Sequence, residues 1–263
     1  MRAFRVRAEQ MLWPLAGILG FVALWHVLTA TGAVPRFLLP SPGRVLAALW
    51  ELIRDGSLWR HLDATLRATA LGYLAGAAGA AALAALIAEF RSAERLLMLH
   101  LYAIQSIPKV SIAPLVFLWA GFDIEGKVVL VALICFFPVF ANALAGFRAA
   151  DPNLIDLMRA AGASRWRRFT QVKLPTALPH IFSGLEVAVA FALIGCIVME
   201  FVGATRGLGF MIQDSANTFD LPRTFAVVIL LGLIGVAGNQ LVKAVHRRAV
   251  FWEPKPRGGE ADG

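Results

Sequence analysis

The chain has 263 residues, 59% of them hydrophobic and only 16% charged, with two cysteines and a formal net charge of +8. Soluble domains carry about 25% charged and 45–50% apolar residues, so the composition excludes a water-soluble globule, a disordered chain, a coiled coil and a collagen. A disulfide scaffold is excluded as well. Cys135 and Cys196 lie in apolar runs and read as buried thiols with no redox role.

Crossing a bilayer takes about 17–25 apolar residues. Six stretches meet that length: 13–30, 68–88, 96–120, 128–147, 177–202 and 224–242. They are too long and too uniformly apolar for barrel strands. Residues 1–12 form a short basic N-terminus. The first run offers a poor cleavage site at Thr29, Ala30, Thr31 and Gly32, so it reads as a helix rather than a signal peptide. The connection 31–67 opens with Pro35, Pro40 and Pro42. Val45, Leu46, Leu49, Leu52 and Ile53 then recur at helical spacing, which predicts an amphipathic helix lying on the membrane surface.

The second span carries Gly72, Gly76 and Gly79, and the last carries Gly232, Gly235 and Gly238; both stripes suit close helix packing. The third span is interrupted by Pro108 and Pro114, with Gln105, Ser106, Lys109 and Ser111 around them. Broken backbone at membrane depth is tolerated only inside protein or beside water, so this stretch marks a candidate translocation path. Glu186 and Glu200, in the fifth span, are 14 residues apart. At 100° per residue that places them on one face. Lys109 could pair with one of them. The glutamates read either as cavity lining or, for Glu200, as a structural cap at the outer interface. Asn239 and Gln240 suit hydrogen bonds between helices. Residues 253–263 read as a disordered tail behind a single membrane domain over 13–252.

Six spans place both termini on one side. The loops on that side hold 16 Lys and Arg residues and those on the other hold eight. The positive-inside rule therefore puts both termini in the cytoplasm. Topology explains the charge, and nucleic acid loses its case as a partner.

Enzyme constellations are absent from the sequence. Gly121, Gly126 and Lys127 match the start of a phosphate-binding loop, but Val128 stands where Ser or Thr must hold magnesium. The chain is therefore expected to bind no cofactor and to hydrolyse no ATP of its own. The cytoplasmic connection 148–175 is the informative one. Residues 153–161 are helical in pattern, Gly162 and Ser164 break them, and a second amphipathic helix follows, ended by Pro175. The elbow suits a docking element for a partner or a basic loop resting on anionic lipid, and Trp166 and Phe169 among its arginines fit either.

This loop resembles the E-A-A motif of importer-type ABC transporter permeases, E-A-A-x3-G-x9-I-x-L-P. Gly162, Leu174 and Pro175 stand at the family spacing, with Val172 in the Ile place and Asp156 in the Glu place; Leu157 and Met158 replace the alanines. The resemblance runs from about residue 60 to 250. It includes Thr65, Leu66 and Arg67; Pro114 and Leu115 ahead of Trp119, Ala120 and Gly121; Glu200 with Phe201, Val202, Gly203 and Ala204; and Gly207, Leu208 and Gly209. With Leu39, Pro40, Ser41 and Pro42, the set is similar to the nitrate/sulfonate/taurine subfamily.

The resemblance implies an all-α, MetI-like permease fold of about six transmembrane helices in a bacterial inner membrane. It implies a homodimer, two ATPase subunits that hold the ATP and magnesium, and a periplasmic or lipid-anchored solute-binding protein. Asp156, Arg159, Ala161, Gly162, Ala163, Ser164, Trp166, Leu174 and Pro175 would couple the chain to the ATPase. The solute would be a small anion; the stretch Ser106, Ile107, Pro108 and Lys109 equally resembles carriers of a pyrimidine thiamine precursor. An ion-coupled secondary carrier is the rival class, and the elbow argues against it.

Overall fold

A computed structural model describes residues 2–35, 37–90, 97, 99–101, 103, 104, 106–121 and 123–252; the side chains of 2–12, Pro14 and Leu15 are outside the description. Gln105 and the expected tail 253–263 lie outside the described residues.

All regular secondary structure among the described residues is helical. Helix α1 is Arg2–Ala30, α2 Pro42–Arg54 and α3 Ser57–Glu89. A 3-10 turn, Lys109–Ile112, leads into α4, Ala113–Ala120. Then come α5, Ile124–Arg148, and α6, Pro152–Ala160. Helix α7 runs Arg165–Gly203, α8 is Leu208–Asn217 and α9 is Leu221–Ala249.

Four of these helices, α3, α5, α7 and α9, are long and apolar enough to cross a membrane. Two shorter apolar segments, Ala16–Ala30 and Lys109–Ala120, stand at the first and third expected spans. The third is not one straight helix. Pro108 and Pro114 each lack an amide donor. The chain answers with a bend at Ser106 and Ile107 and a tight turn before α4.

The bundle centre is α3, α5 and α7, packed through small residues. Ala68, Ala77, Ala80, Ala84, Cys135, Ala143, Ala188, Ala192 and Cys196 form one buried cluster with Val131 and Val139. A Cβ on Gly76 would come within 2.4 Å of the Ala132 carbonyl oxygen, so only glycine lets α3 lie this close to α5. Gly79 and Gly232 face open space, so neither expected stripe packs along its whole length.

One boundary differs from the sequence reading. Helix α3 starts at Ser57, not near 68, because Leu58 extends its apolar face into a second cluster with Leu52, Leu208, Met211 and Val227. Asp55 accepts the Ser57 amide at 2.8 Å at the head of the helix. Helix α2 forms where the spacing predicts an amphipathic helix. It buries Val45 and Leu52, packs against α9, and leaves Leu46 and Ile53 exposed.

Candidate coupling elbow and buried polar knot

Helices α3 and α5 run parallel, with α7 antiparallel to both, and this defines two ends. One holds the elbow 148–175; the far end holds the starts of α3 and α5, the end of α7, and α8.

The elbow is built by local chemistry. Asp151 caps α6 by accepting the Asn153 amide at 2.8 Å, with Pro152 at the first helical position. At the other end Ala163 N–H donates to Met158 O (2.9 Å) and Gly162 N–H to Arg159 O (3.0 Å). This paired closure requires a left-handed residue, and Gly162 supplies it at φ +77. Ser164 then caps the next turn by accepting from Arg167 N–H at 3.3 Å.

Helix α6 contains no buried residue. Asp156 pairs with Arg159 at 2.9 Å on an exposed face, while Leu154, Leu157 and Trp166 are all exposed. Ala161, Gly162 and Ser164 are exposed beside them, with Ala163 half-buried. Val172 is buried, and Leu174 and Pro175 are half-buried at the root of the elbow. Lys173 pairs with Glu89, tying this root to the end of α3. Phe169 stacks between Phe147 and Trp166, at 5.7 and 5.9 Å between ring centroids.

Pro175 does not end the second helix. Helix continues from Arg165 to Gly203 through a π-turn at Phe169–Lys173, where Leu174 N–H reaches back to Phe169 O. The wider turn re-pairs the ladder just where proline removes a donor.

The intramembrane candidates separate. Ser106, Pro108 and Lys109 line a mid-depth cavity of about 460 Å³ with Phe137, Pro138 and Phe191. Lys109 Nζ lies 4.4 Å from the Phe137 ring centroid. Neither Glu186 nor Glu200 lines this cavity. Glu186 faces α9, with His246 at 3.2 Å and Lys243 at 4.0 Å. Its carbonyl accepts from Asn239, as expected of a residue placed between helices.

Glu200 is fully buried at the far end, and its partner is Lys127 at 2.9 Å, not Lys109. The 14-residue spacing does not give the glutamates one environment, because α7 meets α9 at one depth and α3 with α5 at the other. Thr65 Oγ1 donates to Glu200 at 2.9 Å and accepts the Leu208 amide at 2.8 Å. Gly209 N–H donates to Glu200 Oε2 at 2.7 Å, and Lys127 Nζ also donates to Arg206 O at 2.7 Å. Cys196 lies at the knot's edge, 3.6 Å from Glu200 Oε1. Lys127 stands just before the fourth apolar run, which starts at Val128, yet lies inside α5, which starts at Ile124.

A bundle of long apolar helices, with an exposed capped elbow at one end and a satisfied ion pair buried at the other, defines a membrane-spanning transport subunit rather than an enzyme. Residues 68–250 match the family model described as "Binding-protein-dependent transport system inner membrane component". The chain belongs to that family, the permeases of ABC importers.

Among its relatives, the riboflavin transport system permease protein RibX of Chloroflexus aurantiacus is 35% identical, over 95% of each chain. The putative aliphatic sulfonates transport permease protein SsuC of Bacillus subtilis is 32% identical, over 88% of this chain and 84% of its own. The formylaminopyrimidine transport permease protein ThiX of Halalkalibacterium halodurans is 30% identical, over 95% and 99%. A solved amino acid ABC transporter shares the fold with a TM-score of 0.58, at 17% identity over 72% of this chain and 92% of that one. The inward-facing MetNI methionine transporter gives 0.54, at 17% identity over 73% and 98%. The fold is thus the MetI-like permease fold. The chain works with an ATPase subunit and a substrate-binding protein, and it is not itself an enzyme.

Proposed function

We propose that this chain forms the transmembrane path of an ATP-driven importer for a small organic anion of the sulfonate, taurine or nitrate type. The observation that carries the coupling is the elbow: a capped turn that leaves Leu154, Leu157 and Trp166 exposed among the described residues. Exposed apolar residues on a rigid element mark a partner surface, and a chain that turns over no ATP needs a mechanical contact to receive its energy. Two such chains with two ATPase subunits would switch between inward-open and outward-open states as ATP binds and is hydrolysed. The termini and elbow would be cytoplasmic and the far end would receive solute, in a topology of about six spans. ATP and magnesium would sit on the ATPase.

Lys109, a cation lining the mid-depth cavity, supports an anionic solute, as does the likeness to SsuC. A neutral pyrimidine precursor is the second reading, supported by the likeness to ThiX. Gly162→Asp or Gly162→Trp tests the coupling. The variant is expected to insert normally yet lose transport, because a side chain at φ +77 changes the turn. A variant that co-purifies with the ATPase and transports at the wild-type rate overturns the assignment.

A further inference from the structure

Three helices send one side chain each to the same buried point at the far end, and what they grip is backbone. Helix α8 starts without a side-chain cap of its own: its cap residue is Gly207. Two of its first amides are satisfied instead from other helices, Leu208 by Thr65 of α3 and Gly209 by Glu200 of α7. A carboxylate at a helix N-terminus is favourable on both hydrogen-bond and dipole grounds. Lys127 of α5 neutralises that carboxylate and holds the Arg206 carbonyl. His61 Nδ1 accepts the Gly207 amide at 3.1 Å, and its ring stacks on Phe210. The backbone of Gly207, at φ +138, rests so closely on the knot that a Cβ there would lie 2.0 Å from Glu200 Oε1. Four bonds, from Lys127, His61, Thr65 and Glu200, reach the short stretch 206–209.

That stretch opens onto a polar cavity of about 500 Å³ at the far end, lined by Asp63, Arg67, Asp123, Lys127, Thr205 and Arg206. We infer that Thr65, Lys127 and Glu200 are positioning residues that set residues 205–209 and the start of α8 as the surface on which the solute-binding protein is received, separately from ATPase coupling at the elbow. The inference rests on the reading of the chain as the permease of an ATP-driven importer. It follows from the placement of the knot, because the elbow and residues 205–209 are at opposite ends of the same three helices. Loss of the knot then loosens one end without touching the other.

The test uses this chain with its ATPase in lipid nanodiscs, and the purified binding protein as the probe. Thr65→Val keeps the shape and removes the hydroxyl that bridges Glu200 and Leu208; Thr65→Ser keeps the hydroxyl. Thr65→Val is expected to lower stimulation of ATPase activity by the binding protein at least fivefold, with basal ATPase activity and bound ATPase within twofold of wild type. Amide exchange at 206–209 is expected to rise at least tenfold. Thr65→Ser is expected to restore both. Lys127→Met is expected to act in the same direction; where it fails to fold, Thr65→Val decides. Wild-type stimulation in Thr65→Val, or an equal loss of basal and stimulated activity, overturns the inference and leaves the coupling reading intact. A wild-type chain that retains no ATPase overturns that reading, and the inference with it.

Discussion

A carboxylate with no access to water is tolerable only while its partners hold it. Glu200 is fully buried and takes hydrogen bonds from Thr65, Lys127 and the Gly209 amide. Removing one member of a buried ion pair costs about 3–5 kcal/mol, because the other charge is left uncompensated. Lys127→Met and Glu200→Gln should therefore each lower the thermal midpoint of the purified chain sharply. The double change Lys127→Met with Glu200→Gln should recover part of that loss, and full additivity of the two would show that the pair does not interact in the folded chain. Lys109 is a different kind of cation, beside a cavity and over a ring. Lys109→Ala should slow uptake of an anionic solute more than Lys109→Arg does, at equal amounts of inserted protein. Equal uptake in the two favours the neutral pyrimidine. The sequence offers Glu200 as a structural cap and names Thr65, Leu208 and Gly209, but the contacts that join them with Lys127 were not legible in it. Lys127 and Thr65 are 73 and 135 residues from Glu200, Lys127 stands just before an apolar run, and the spacing of the glutamates was open to inspection within one helix alone. Helical phase places a residue on a face but does not say which neighbour meets that face at a given depth.

Elements are decided by how near two backbones must come. A Cβ at Gly76 would meet the backbone of Ala132, whereas at Gly79, one turn on, it would meet open space. Gly76→Leu should destabilise the chain by at least about 3 kcal/mol, at the upper end of the usual cost of overpacking a core. Gly79→Leu should be tolerated, and the fraction of detergent-extracted protein running as a single species distinguishes the two. The four long helices were legible because twenty apolar residues in a row have few other solutions. The elbow was legible because its spacing, cap and glycine are local. The start of α3 and the passage through Pro175 were not. Leu58 joins a cluster whose other members come from α2, α8 and α9, and the π-turn depends on how the helix repairs its own hydrogen bonds.

At the scale of the whole molecule, the two ends of one bundle do different chemistry. One presents exposed leucines and a tryptophan on a capped turn; the other buries an ion pair beneath a polar cavity. Between them, α3, α5 and α7 pack closely through alanine and glycine. The proposed function sets the elbow against the ATPase. The most direct test is site-specific cross-linking in the assembled complex, with the native cysteines removed. A single cysteine at Leu157 or Ser164 should cross-link to the ATPase subunit, and one at Asp214 on α8 should not. Cross-linking to the ATPase from residue 214, with none from 157 or 164, would contradict the account.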